Sequence, residues 1–172
     1  MSSIWRDGLV AGAIGGLAMT LTEKVEQRFT GRPSSYVPAL TLARLLGVSD
    51  ETAEHSRRWN WTMHFGQAAL LGVWRSAMAQ GGLRGLRASA MFTSVRFAND
   101  QTLENYTGAG APPWTWPRSE LLIDVAHKTV YGMVTGLVAD RLAAQRGPGP
   151  GARHANLRPG RQENVGPPPN PR

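Results

Sequence analysis

Cysteine is absent from the 172 residues. That excludes disulfides, thiolate nucleophiles and thiolate metal sites, and it leaves the redox compartment open. No uncharged run reaches the roughly eighteen residues that a self-sufficient membrane-crossing helix needs. A Gly-rich phosphate loop, a nucleophile in a His/acid setting and a nucleic-acid module are also missing. No catalytic residue and no cofactor is therefore assigned. The opening residues Met-Ser-Ser-Ile-Trp-Arg-Asp lack the basic n-region and small-residue cleavage site of a signal peptide. Acidic residues are the scarcer sign, with 12 Asp+Glu against 19 Lys+Arg and a net charge of +7. The basic residues are scattered, and six lie at Arg141 or beyond. This distribution disfavours nucleic acid and suits a juxtamembrane surface.

What is present is glycine in register. Residues 8–22 carry no formal charge, and Gly8, Gly12 and Gly16 recur every fourth position. That spacing stacks them as a bare groove on one helix face. Each internal Gly costs about 1 kcal/mol relative to Ala in a water-exposed helix. In a bilayer the cost is offset, because small faces let helices approach closely. The spacing returns in Ala68, Gly72 and Ser76, in Ala90, Ser94 and Ala98, and in Gly132 and Gly136. Trp59 and Trp61 stand about 20 Å along a helix from Trp74, and Trp114 and Trp116 sit in a Pro-rich loop. Tryptophans that bracket uncharged segments suit a membrane interface.

The chain thus divides into a helical membrane domain over 1–145 and a Pro/Gly/Arg-rich tail over 146–172, whose composition cannot bury a core. The first helix is expected to stop at Gly31-Arg-Pro33. A short amphipathic helix over 38–47 follows in the first loop. Ser49-Asp50-Glu51 opens the second long helix in capping style. The third runs roughly from Leu83 to Tyr106, and the fourth from Pro117 to Arg141. The expected fold is all-α: a compact bundle of four short, close-packed transmembrane helices.

Two faces carry the candidate chemistry. His64 and Gln67 share one on the second helix; Asp124, His127 and Tyr131 share one on the fourth. Turned inward, they form a polar cluster of the kind a proton relay or metal site needs. The plainer reading has Asp124 orienting His127 one turn away, with structural roles throughout. Asp124-x-x-His127 is half of a di-iron carboxylate pattern, and no second half exists. Arg96 and Asp100 are four apart, at pairing distance, beside Glu104 and Asn105.

Several landmarks fall in a telling order: Glu23-Lys-Val-Glu-Gln27, Ser35-Tyr-Val-Pro38, His64-Phe-Gly66, Glu104-Asn105, Pro113-Trp-Thr-Trp-Pro117 and His127-Lys128. In this order the chain resembles small polytopic YagU-like inner-membrane proteins over about residues 5–144. The resemblance implies a four-helix inner-membrane protein and brings no catalytic residues with it.

The expected function is an integral, multi-pass membrane protein in a structural or stress-related role with minor transport. The lipid bilayer is its partner, and the Gly faces also offer a surface for self-association. A soluble or peripheral all-α interaction module is the alternative. A membrane-bound His/carboxylate protein handling metal or protons is the third. Basic residues divide almost evenly between the two sides, with a lean toward both termini inside.

Overall fold

Residues 2–157 are described by the structure, a computed structural model. Among them are seven α-helices, one 3₁₀ turn and no strand. Helix α1 covers Ser2–Thr30 and ends where Gly31 turns to φ +71° and Pro33 follows. Helix α2, Val37–Leu45, starts on Pro38 and closes at Gly47, with the Val48 N–H reaching the Ala43 carbonyl at 2.9 Å. That bond satisfies an otherwise orphaned helix-end carbonyl. Helix α3 is a single turn, Asp50–Ala53. The capping pattern at Ser49 was expected to open a long helix. The backbone breaks instead at His55, a non-glycine residue with φ +58°, and Ala53 is buried with Ala39 and Ala43 of α2.

Helix α4, Arg57–Gly81, ends on Gly82 at φ +108°. Helices α5, Gly85–Tyr106, and α6, Arg118–Ala144, complete the long set. The Pro113–Thr115 turn lies between them. Helix α7 covers Gly149–Asn156. The tail was expected to be unstructured from residue 146; its first part is this helix, which packs on the end of α4. Gly149 and Gly151 there meet the carbonyls of Gln80 and Gly81. The rest of the expected tail, residues 158–172, lies outside the described residues.

The four long helices pack as an up-down-up-down bundle. Helix α1 lies against α4 and α6, and α6 also lies against α5. Glycine sets the spacing. A Cβ on Gly8 would collide with Val73 and Gly72, on Gly12 with the Ala68 carbonyl, and on Gly72 with Gly8 and Gly12. Gly132 and Gly136 of α6 receive Thr93 and Ser89 of α5. Gly15, outside the expected stripe, receives Thr135 of α6; α1 therefore presents one small face to each neighbour. The Ala90, Ser94 and Ala98 stripe does not join in. All three are exposed, and α5 turns Ala88, Ser89, Phe92 and Arg96 inward.

The expected set of four spans is not reproduced by composition. Among the described helices α6 alone is long and apolar enough to cross a membrane, and 28% of its most apolar stretch is buried. Charges interrupt the others: Arg6, Asp7, Glu23 and Lys24 in α1, Arg75 in α4, Arg87, Arg96 and Asp100 in α5.

Candidate functional site: a polar chamber at one end of the bundle

Toward the C-terminal ends of α1 and α5 the side chains lengthen and the helices no longer touch through glycine. A cavity of about 400 Å³ opens there. Its wall includes Glu23 of α1, His64 and Gln67 of α4, Arg96, Asp100 and Glu104 of α5, and Asp124, His127 and Lys128 of α6, with α2 as a roof. The roof is pinned by Arg44, which holds Asp50 at 2.7 Å and donates to the Thr107 carbonyl at 3.1 Å. The Arg44 guanidinium keeps the Asp50 carboxyl below the ordinary carboxylate range.

The floor is a chain of charges. Arg96 Nε lies 3.0 Å from Asp100, so the pair four apart in sequence is formed. Lys128 Nζ lies 3.4 Å from the same carboxylate and also pairs with Asp124. Gln67 Nε2 donates to the other oxygen of Asp100 at 2.9 Å. Arg96, Asp100 and Lys128 are 3%, 5% and 5% exposed. Burial of this kind is tolerated when each charge is paired and hydrogen-bonded. Two cations and two carboxylates sum to zero.

Four of the five expected cluster residues line this chamber: His64, Gln67, Asp124 and His127. Tyr131 does not. It is fully buried below the floor, donates to the Ala68 carbonyl at 2.6 Å and carries the Arg96 guanidinium over its ring at 5.0 Å. The expected Asp124–His127 pair gives way to Asp124–Lys128. Positions three and four residues on are both in reach of Asp124, and a buried ammonium gains more from the carboxylate than a neutral imidazole does. His64 Nε2 lies 3.0 Å from the Thr20 hydroxyl, which itself donates to the Gly16 carbonyl; Nε2 is thus the donor. Among the described residues neither His64 nor His127 pairs with a carboxylate. No three His, Cys, Asp or Glu side chains there are grouped to hold a metal ion.

The sequence marks Lys128 only as part of the His127-Lys128 landmark, and its spacing does not single out Arg75 with Asp140. Arg75 is 0% exposed and meets Asp140 of α6 at 2.7 Å, near the closed end of the bundle. The signal was on the small face: Arg75 falls between Gly72 and Ala79, and Lys128 precedes Gly132 by one turn. A charge in register with packing glycines points into the bundle. No family model matches the chain, and no curated protein or solved structure matches it either.

Proposed function

We propose that the protein is a multi-pass membrane bundle that holds a small polar solute in a chamber reached from one side. One observation carries the bilayer part: inside and outside are inverted relative to a water-soluble fold. The largest fully buried side chain is Arg75, and most buried apolar residues are alanines. Trp5, Leu9, Ile14, Leu17, Leu21, Val25 and Phe29 are exposed along the length of α1, and Leu70, Trp74, Leu86, Met91, Leu122 and Leu137 are exposed on the other long helices. Water-soluble monomers rarely leave so much contiguous apolar surface uncovered. Lipid covers it without a partner protein. From Trp5 to Phe29 these exposed positions extend about 36 Å along the helix axis, close to the thickness of a bilayer with part of its headgroup region.

In this reading the Gly8–Gly12–Gly16 face works as a glycine zipper against Ala68 and Gly72, as in other close-packed membrane helices. The YagU-like resemblance agrees with it. Buried ionisable groups inside such a bundle are a functional signal by default, which favours solute binding or transport over a purely structural part. The chamber ends on the Arg96–Asp100–Lys128–Asp124 floor, so it is a one-sided vestibule and no through-channel.

The alternative is a peripheral all-α module whose apolar faces meet another protein or a second copy. That α6 alone among the described helices is sufficiently apolar favours it. Extraction with alkaline carbonate separates the two. The integral protein stays in the pellet, and release without detergent would remove the bilayer reading. The cysteine-free chain also permits single-site labelling. Ser3→Cys and His154→Cys should react from one side of a sealed vesicle, and Ser49→Cys from the other.

A further inference from the structure

We infer that the chamber takes a small zwitterionic solute, with a carboxylate end at Arg96 and an amine end at the uncompensated carboxylates. This rests on the solute-binding reading above and specifies its ligand.

Arg96 is held on two sides, by Asp100 at Nε and by the Tyr131 ring beneath its plane. Both its Nε and its Nη1 are buried without a hydrogen-bond partner, the Asp100 contact being an ion pair only. A buried guanidinium N–H left open is costly, and a negatively charged oxygen is its best complement. Acceptors are in excess elsewhere in the wall: Asp124 Oδ2 and Asn60 Oδ1 are likewise buried and unpartnered. Glu23 and Glu104 line the chamber with no cation in ion-pair range among the described residues. Glu120 shares Arg32 with Glu26. The wall therefore asks for one anionic acceptor and one multi-donor cation in the same molecule.

A solute with only an anion would face the surplus carboxylates, and one with only a cation would leave Arg96 open. An ammonium with its three N–H donors suits the carboxylates. Arg96 and Asp124 are joined through Asp100 and Lys128, so both ends of the solute would meet one continuous charge chain. Met19, Met63 and Trp116 supply an apolar wall for the carbon chain between the two ends. A volume of about 400 Å³ fits a solute of amino-acid size and excludes much larger ones.

The test is calorimetric titration of the full chain in detergent with 4-aminobutyrate and 6-aminohexanoate, against hexanoate and hexylamine as single-charge controls. At least one zwitterion should bind about tenfold more tightly than both controls, a difference of about 1.4 kcal/mol. Glu104→Gln should weaken zwitterion binding several-fold and leave the unfolding temperature in place. Arg96→Lys keeps the buried charge, replaces the planar fork and should lower affinity further. Hexylamine binding as tightly as the zwitterions would overturn the proposal in favour of an organic-cation site. Equal binding of hexanoate would overturn it in favour of an anion site, and no binding by any of the four would end it. Carbonate extraction reads the bilayer part separately. A protein released from membranes that still binds the zwitterion loses only its membrane assignment; one that stays embedded and binds nothing loses only its ligand.

Discussion

The two halves of the bundle are made from the same four helices and solve opposite problems. In the closed half, where α4 turns into α5, helices meet through Gly8, Gly12, Gly72 and Gly136, and space is removed until a single Cβ would collide. Charge there is buried in direct pairs: Arg75 with Asp140, and Asp7 with Arg146. In the open half the corresponding inward positions are Glu23, His64, Arg96, Asp124 and Lys128, whose length props the helices apart. Side-chain size at the contact positions, with no change of helix direction, converts a sealed interface into a chamber. The closed half tolerates nothing larger, and the open half depends on nothing smaller.

That contrast can be broken most severely at Arg75. Arg75→Met should cost about 3–5 kcal/mol, because Asp140 is then left with no counter-charge. Adding Asp140→Leu should recover much of the loss, read as unfolding temperature in detergent. If the double variant is no better than the single one, the pair is not what closes that end. Gly12→Leu should follow at about 1–3 kcal/mol or more, since the added side chain must displace the α4 backbone. Leu17→Ala, on the 53% exposed outer face, should cost less than 1 kcal/mol, or about that. Equal melting of these two variants would remove the idea that the small face sets the spacing. Tyr131→Phe, which loses the bond to the Ala68 carbonyl beneath the chamber floor, should cost about 1 kcal/mol. The smallest effect is expected from α7. Truncation after Arg146 should melt slightly below truncation after Leu157, and identical curves would show that α7 adds nothing to the closed end.

Much of this frame can be read from residue order, and the failures have local causes. Helix ends followed from Gly31 with Pro33, Gly47, and Gly82, where the chain needs positive φ or stops. Spacing marked Gly8, Gly12 and Gly16 as a small face without naming its partner, and it passed over Gly15, because adjacent glycines on one helix serve two neighbours. Ala90, Ser94 and Ala98 show the reverse error: small residues every fourth position also occur on an exposed face. The break at His55 was hidden because Ser49-Asp50-Glu51 has the chemistry of a helix start whether one turn follows or seven. Helix α7 was missed because Pro and Gly dominate its first half and its support comes from the end of α4. In the chamber, residue types identified four of five expected members. The choice of Lys128 over His127 as the partner of Asp124 depends on rotamers and burial that spacing does not encode.

The placement of counter-ions also bears on the order in which such a chain is laid down. Helix α5 carries Arg96 with Asp100, and α6 carries Asp124 with Lys128, each pair four residues apart on one helix. Each of these pairs is therefore neutral within its own helix as soon as that helix is made. Helix α4 brings Arg75 with no acid of its own in reach; the matching Asp140 is synthesised only near the end of α6. Asp7 waits still longer, for Arg146. The two longest-range ion pairs of the closed end are thus completed last, and the bundle latches only when α6 is whole. On the membrane reading proposed above, a chain cut before α6 should leave α4 outside the bilayer, which a glycosylation tag placed beyond Gly82 can report during translation; normal insertion of α4 in that fragment would contradict this order.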